Sequence, residues 1–402
     1  MKRAGGLWPA ILERGNMANA FQKAARGKRW KREVRQFSAN IDSRLDSLRK
    51  MLITRCFEVG RFEVFTVFDP KERVIHAAPF EERVFQHALM NLCEPVLEKR
   101  AIVHTYACRR GKGQTAAVAA AERAALGYEW YLKLDIRKYF DSVPHGRLLN
   151  RLRCVFKDAE VLFWFEKIIQ SHQGNAARGL PIGTLTSQHL ANFYLEPLDR
   201  FCQGQPAVKR YVRYMDDFVC WGADKQALVE VGRSIEYFVN SQLELELKHP
   251  PCPQRVVRGM DFLGYRIFPG YSALSRRSKV RYARKLRWLV ERHEEGELSE
   301  VGLQQRLTAL TAFKQRVRSR SFRGRVHGKL RSTAIGLVPG DPGRELEQQR
   351  GELRGCQPQQ QQPGEPQQQQ RLPGGPQLRP QSQACGSVTE ELNRPSSSSR
   401  AP

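Results

Sequence analysis

The sequence predicts an α+β fold in which a small antiparallel sheet carries acidic side chains at its rim and basic helices flank it. Three observations lead there. Tyr211-Val-Arg-Tyr-Met-Asp-Asp-Phe-Val-Cys-Trp221 sets β-forming residues on both sides of a polar pair, the pattern of a hairpin with Asp216 and Asp217 at its tip. Tyr131-Leu-Lys-Leu-Asp135 alternates as a strand should and ends on a third acid. Residues 270–335 read as basic helix. At about 100° per residue Arg281, Arg284, Lys285, Trp288 and Arg292 fall on one face, with Val280, Ala283, Leu286 and Val290 opposite.

In chain order, residues 1–60 read as basic helices, with Gln22-Lys-Ala-Ala-Arg-Gly-Lys-Arg-Trp-Lys-Arg32 the densest cationic run. Residues 61–128 mix short strands with a helix around Glu81–Val96. Residues 129–268 hold the acidic strands. From about Val338 the chain turns rich in Gln, Pro, Gly and Ser and is expected to be disordered. With 402 residues and 41% hydrophobic side chains, the chain suffices for one large domain or two to three smaller ones.

The net charge is +26 and the pI about 10.1, which points to a polyanion and most simply to nucleic acid. From Val338 onward seven arginines (344, 350, 354, 371, 379, 394, 400) meet seven acids (341, 345, 347, 352, 365, 390, 391), so the whole excess lies in residues 1–337. The basic helical face reads either as an ordinary solvated surface or as a track for a phosphate backbone; the net charge favours the track. Nine cysteines occur without a C-x-x-C, which argues against a zinc ribbon and fits reduced thiols in a cytoplasmic protein. The apolar stretch after Lys2 and Arg3 is short and broken by Pro9 and Glu13, so neither a signal peptide nor a membrane anchor is expected.

Two adjacent carboxylates repel each other and need compensation, for which a divalent metal is the usual answer. Asp216 and Asp217 alone would read as a solvated turn, and Asp135 alone as a helix N-cap. Taken together they predict a three-carboxylate nest for two Mg²⁺ ions, or Mn²⁺, of the kind that activates a 3′-hydroxyl and stabilises a pyrophosphate leaving group.

Five segments stand out in chain order. They are Ala107-Cys-Arg-Arg-Gly-Lys-Gly113, Leu132-Lys-Leu-Asp-Ile-Arg-Lys-Tyr-Phe-Asp-Ser142, Arg178-Gly-Leu-Pro-Ile-Gly-Thr-Leu-Thr-Ser-Gln188, Tyr214-Met-Asp-Asp217 and Asp261-Phe-Leu-Gly-Tyr265. Over roughly residues 6–330 the chain resembles the reverse transcriptase family, whose motifs come in the same order. In detail it resembles the reverse transcriptase of a diversity-generating retroelement, a relative of the group II intron enzymes.

The resemblance implies a right-hand polymerase: N-terminal basic helices and fingers over 1–128, a palm over 129–268 with a fingers insertion near 150–190, and a helical thumb over 270–335, followed by the tail at 338–402. It implies that Asp135, Asp216 and Asp217 are catalytic and hold the metal, with the Ile136 carbonyl as an extra oxygen. Phe140, five residues past Asp135, takes the place of the steric gate that leaves no room for a 2′-hydroxyl; without the motif it would read as a core phenylalanine. Arg109, Arg110 and Lys112 sit beside glycines and would hold the incoming triphosphate, although the same residues also read as a plain basic turn. Ile182, Gly183 and Gln188 would face the nucleotide, and Ser187 the template. Many members have Gln where Ile182 stands and Pro where Gln188 stands; Ile182 and Gln188 match the diversity-generating group. Ile cannot donate a hydrogen bond, so Ile182 is expected to lower fidelity. Lys248 resembles the general acid for pyrophosphate and also reads as an exposed lysine closing a strand. Tyr214 and Met215 would touch the primer, and Phe262, Leu263, Gly264 and Tyr265 would form the primer grip.

The expected substrates are an RNA template, a DNA or RNA primer and dNTPs. The expected partner is a small, basic, oligomeric accessory variability protein, and no membrane is involved. The use would be copying a template-repeat RNA into mutagenised cDNA. Alternatives are a group II intron-like reverse transcriptase in another role, such as phage defence, and a non-catalytic RNA-binding relative. Two departures stand out. The thumb stretch Thr311-Ala-Phe-Lys-Gln-Arg-Val-Arg-Ser-Arg-Ser321 lacks the Gly-His element usual in the group, and no RNase H or endonuclease motif follows. The runs Gln359–Gln362 and Gln367–Gln370, back-translated with a one-base shift, permit Asn-rich AAC codons like those of a template repeat. The reading frame is therefore expected to run into its own template repeat, leaving the tail without a fold of its own.

Overall fold

The computed structural model describes residues 2–68, 72–172 and 177–312. The thumb beyond residue 312 and the glutamine-rich tail lie outside the described residues, as do the expectations placed on them. Contacts divide the chain into Met1–Val338 and Pro339–Pro402, and the described residues all belong to the first unit.

The chain begins with α1 (Leu7–Ile11), α2 (Arg14–Ala25), α3 (Arg32–Ala39) and α4 (Ile41–Ile53). A hairpin follows, β1 (Glu63–Phe68) with β2 (Glu72–Ala77), then α5 (Phe80–Glu98) and α6 (Gln114–Gly127). β3 (Trp130–Asp135) leads to the single-turn α7 (Tyr139–Ser142), then α8 (His145–Arg153), α9 (Ala159–Gln170), α10 (Leu185–Tyr194) and α11 (Glu196–Gly204). β4 (Arg210–Tyr214), β5 (Asp217–Gly222), α12 (Lys225–Leu243) and β6 (Gln254–Arg255) complete the central region. β7 (Met260–Phe262), β8 (Tyr265–Phe268) and β9 (Tyr271–Leu274) make a separate antiparallel sheet, after which α13 (Arg276–Glu294) and α14 (Glu300–Ala312) pair as helices.

The central sheet has the order β4-β5-β3-β6 and is antiparallel throughout. Side chains alternate across a strand, and both faces are covered here. Leu132, Leu134, Tyr211, Phe218 and Cys220 join a large core formed with the N-terminal helices and α8–α12. Tyr131, Val212, Val219 and Trp221 join a second core formed with α6 and the β7–β9 sheet. Phe218 and Trp221 are wholly buried on opposite sides of β5. Truncating aromatics so placed costs about 3–5 kcal/mol each, so β5 is anchored on both faces beside its acidic end.

α13 departs from the helical-wheel expectation. Its buried stripe is Tyr282, Leu286 and Leu289, packed on Leu303 and Leu307 of α14. Val280, placed on the apolar side by the wheel, is 53% exposed. It lines a cleft with Arg276, Arg277, Arg281, Arg284, Lys285, Trp288 and Phe68 of the β1–β2 hairpin. The buried stripe is rotated about the helix axis from the expected one and shares only Leu286 with it, because the position of α14 decides which side is covered.

Candidate active site

β3 and β5 pair so that Asp135 stands opposite Asp217, and β4 pairs with β5 so that Tyr214 stands opposite Asp217. Met215 and Asp216 are thus the two residues of a tight hairpin turn. Met215 takes φ 59°, and Asp216 is not among the positive-φ residues. A positive φ at the first turn position alone is the habit of a type II′ turn, where glycine is preferred and a side chain is strained. Tyr131, Lys133 and Asp135 on β3 share a face with Asp217, Val219 and Trp221 on β5, as period-two alternation requires.

Burial and the neighbouring Asp135 push the Asp216 carboxyl up to about 6. Burial pushes Asp217 up to about 7, opposed by Lys133 and reinforced by the two other acids. Lys133 Nζ stands 3.1 Å from Asp217 Oδ2, while Asp217 Oδ1 is buried with no partner. Lys248 Nζ is bonded to Asp135 Oδ2, and the Lys248 amide donates to the Asp135 carbonyl at 2.9 Å. The expected compensation by metal is thus met in this structure by two lysines. Among the described residues no three His, Cys, Asp or Glu side chains are grouped as a ready metal cluster. Asp217 pairs with Lys133, while Asp216 faces Asp135.

The donor set still fits a hard divalent cation. Two carboxylates, those of Asp135 and Asp216, crowd one another, and a buried carboxylate oxygen lacks a partner. A cation on Asp135 would compete with the Lys248 ammonium. Arg137 N–H donates to the Glu246 carbonyl, and the Lys248 amide donates to Asp135. In an antiparallel ladder this leaves the carbonyl of Ile136, the residue between, directed toward the β5 side, where the extra oxygen is expected.

Phe140 lies in α7, reached through Lys138 at φ 44°, and is half-buried against the Tyr139 ring at 5.8 Å. Its carbonyl accepts from the Leu180 amide at 2.7 Å, which ties α7 to the 178–188 loop. In that loop the Ile182 carbonyl accepts from the His76 amide at 2.8 Å. Gly183 has φ 115°, and a Cβ there would stand 2.9 Å from Ile75 Cγ2 and 3.0 Å from the His76 carbonyl. The close approach that Gly183 permits is therefore to strand β2. Gln188 is exposed, its Oε1 within 3.5 Å of Cys108 Sγ.

Two residues expected at the substrate face inward in this structure. Ser187 is 1% exposed and its hydroxyl accepts from Thr184 Oγ1 at 2.6 Å, while Thr184, the N-cap of α10, accepts from the Ser187 amide, so Ser187 is turned into the protein. Arg109 is turned into the protein. Its Nε donates to both Glu98 carboxylate oxygens at 2.7 and 2.9 Å, and its Nη1 donates to Thr105 Oγ1 at 2.6 Å. With Nη2 also 2.6 Å from Glu98 Oε1 and the side chain 8% exposed, Arg109 braces the loop. Lys112 bonds the Val103 carbonyl and sits 5.1 Å over the Tyr106 ring. Arg110 is exposed.

The β7–β8 turn places Leu263 at φ 49° and Gly264 at φ 85°, two successive positive angles as in a type I′ hairpin. Gln114 Nε2 donates to the Leu263 carbonyl at 2.7 Å and Ser278 Oγ to the Gly264 carbonyl at 2.7 Å, joining α6 and α13 to this turn. Phe262 and Tyr265 are buried in the second core, while Leu263 and Gly264 at the turn are half-buried. On α13, Lys285 Nζ lies 3.7 Å from the Trp288 ring centre and the Arg292 guanidinium 5.3 Å from it.

Sequence reasoning missed Lys133, although its place two residues before Asp135 on the same strand face was a usable signal. It also missed Arg213, Asp199 and Asn192, which lie under the acidic hairpin.

Residues 69–267 match the family model described as reverse transcriptase (RNA-dependent DNA polymerase). A COX1/OXI3 intron 2 protein of Saccharomyces cerevisiae is 22% identical over 153 residues, 36% of this chain and 17% of that protein. The group II intron-encoded protein LtrA of Lactococcus lactis subsp. cremoris is 26% identical over 137 residues, 33% of this chain and 23% of that one. The chain therefore spans under a quarter of the length of these curated relatives. A solved structure of apo telomerase from Candida tropicalis, truncated from the C-terminal domain, overlaps 53% of this chain and 55% of that one. It does so at 12% identity and a TM-score of 0.40, a likeness too slight to carry weight. Among the described residues no helix is long and apolar enough to cross a membrane.

Proposed function

We propose, from the premise that residues 69–267 are a reverse transcriptase domain with the right-hand polymerase fold, that this protein copies RNA into DNA by metal-assisted nucleotidyl transfer. The observation that carries this is the pairing of Asp135 with Asp217 across β3 and β5, with Asp216 in the adjoining turn. Asp135 and Asp216 would hold a divalent ion, with Asp217 supporting and the Ile136 carbonyl adjacent. Such an ion supplies Lewis acidity toward phosphate oxygens when bound. Lys248, bonded to Asp135, would give a proton to departing pyrophosphate. Phe140 limits space at the sugar C2′. The Leu263–Gly264 turn presents backbone to the primer end, and the cations of α13 meet phosphates.

Within that reading the chain serves a diversity-generating retroelement, copying a template-repeat RNA with errors, aided by a small basic accessory protein. Ile182, Gln188 and the glutamine runs of the tail support this. The intron-encoded relatives favour a second reading, a group II intron-like enzyme in another role.

The test is extension of a DNA primer on an RNA template with dNTPs, Mg²⁺ and the full chain. DNA product is expected from the wild type, and Phe140→Ala is expected to admit ribonucleotides that the wild type rejects. A wild type that binds the RNA yet makes no product, with candidate accessory protein added, would instead favour a non-catalytic RNA-binding role.

A further inference from the structure

The underside of the acidic hairpin holds a charged cluster that no step above uses. Arg213 lies on β4 on the sheet face turned toward the helices, and its side chain is 1% exposed. Its five N–H donors meet five acceptor contacts. Nε donates to Asp199 Oδ1 at 2.5 Å, and Nη2 to Asp199 Oδ2 at 2.6 Å and to the Asn192 carbonyl at 3.2 Å. Nη1 donates to Asn192 Oδ1 at 2.8 Å and to the Met215 carbonyl at 2.9 Å. Tyr211 Oη donates to Asp199 Oδ1 at 2.8 Å. A guanidinium offers five donors in a rigid fork, so this set is complete and its geometry admits little freedom.

Two contacts make the cluster more than a buried ion pair. Met215 is the strained residue of the turn, directly before Asp216, and Arg213 holds its carbonyl. Asn192 turns its other end away, donating from Nδ2 to the Ala107 carbonyl at 2.6 Å, at the head of the basic loop Ala107–Gly113. The main chain repeats the link: the Arg213 amide donates to the His104 carbonyl and the Tyr106 amide donates to the Arg213 carbonyl, both at 3.0 Å. Arg213 thus touches the turn that carries Asp216 and the backbone leading into the basic loop, and reaches the loop itself through Asn192.

We propose that Arg213, held by Asp199 and Asn192, is a positioning residue that fixes the Met215 turn in its strained form, and with it the carboxylate of Asp216. Through Asn192 it also sets the spacing between the acidic turn and the basic loop. A turn that costs energy persists only where its surroundings over-determine it, and this cluster is the surrounding that does so. The inference rests on the polymerase reading for its consequence in catalysis, and on geometry alone for its consequence in cation binding.

Deleting Arg213 alone would strand the Asp199 charge in the core and confound folding with positioning. The test therefore uses Arg213→Met with Asp199→Asn, which removes both charges and keeps an oxygen for Tyr211, alongside Arg213→Lys, which keeps the charge but cannot span the five acceptors. For the full-length protein and each variant, Mn²⁺ affinity is measured from the EPR signal of free ion. Primer–template affinity, kcat and KM for dNTP are measured in parallel. Both variants are expected to bind Mn²⁺ several-fold more weakly and to lose on the order of 100-fold in kcat, the scale of a small misplacement in an active site. Primer–template affinity is expected to stay unchanged. Wild-type Mn²⁺ affinity and kcat in Arg213→Lys, or in a folded double variant, would overturn the proposal. A wild type that fails to polymerise while the Mn²⁺ difference persists would sink the polymerase reading and leave the positioning role standing.

Discussion

At the residue scale the account turns on three carboxylates and the groups that compensate them. An Asp whose folded value is raised, as at Asp216 to about 6 and Asp217 to about 7, is ionised more easily in the unfolded chain than in the folded one. Stability is then unaffected below the ordinary value near 4, falls as pH rises from there, and reaches its full penalty above about 7. A divalent cation that accepts the ionised carboxylates removes this penalty. Mg²⁺ or Mn²⁺ is therefore expected to raise the thermal midpoint by several degrees at pH 8 and by much less at pH 5, and Asp216→Asn should abolish the pH 8 gain. An equal gain at both pH values, retained in Asp216→Asn, would contradict the assignment. The acids were legible in the sequence because each sits where a strand-length alternation ends. Arg213 and Asp199 were not, since their partnership spans two elements and an arginine in a strand ordinarily reads as exposed. Arg109 misled for the opposite reason: a loop arginine beside glycines reads as free, and only the fold shows that Glu98 and Thr105 take its donors.

At the element scale, the loop Arg178–Gln188 is tied to the β1–β2 hairpin by the Ile182–His76 hydrogen bond and by the close packing at Gly183. The Ile182 side chain is half-buried and offers no polar group to an incoming base. Replacing it by Gln is expected to shift the spectrum of misincorporated bases toward higher fidelity by several-fold while leaving the backbone bond to His76 in place. Deep sequencing of cDNA from both proteins measures this, and identical spectra would end the idea. The loop's motif was readable, but its docking partner was not, because glycine reports a need for space without naming what fills it. The α13 stripe shows the same limit. A helical wheel separates charged from apolar residues, while the neighbour decides which side is buried, and α14 packs on Tyr282, Leu286 and Leu289.

At the scale of the whole molecule, the charge of +26, confined to residues 1–337, sets how the protein meets a polyanion. Each phosphate contact contributes nearly one unit to the slope of log affinity against log salt. Alanine at Arg284 and at Lys285 together is expected to lower that slope by about two for an RNA–DNA primer–template, with little dependence on sequence, as fluorescence anisotropy over a salt series can read. An unchanged slope would place the duplex elsewhere than on α13. The overall plan, an antiparallel acidic sheet between basic helices, was legible because composition, strand alternation and motif order all agreed. The double covering of that sheet, by helices on one face and by α6 with β7–β9 on the other, was not, because it depends on pairings far apart in the chain.

The central claim is that Asp135 and Asp216 make this protein a metal-dependent, RNA-templated DNA polymerase. Single-nucleotide extension of a primer on an RNA template, scanned in Mg²⁺ for the wild type, Asp135→Asn and Asp216→Asn, tests it most directly. The account predicts Mg²⁺-dependent extension by the wild type and a loss of at least about 1,000-fold in either variant, both still folded and still binding the primer–template with wild-type affinity. Extension that survives either substitution, or that proceeds without a divalent ion, would contradict it.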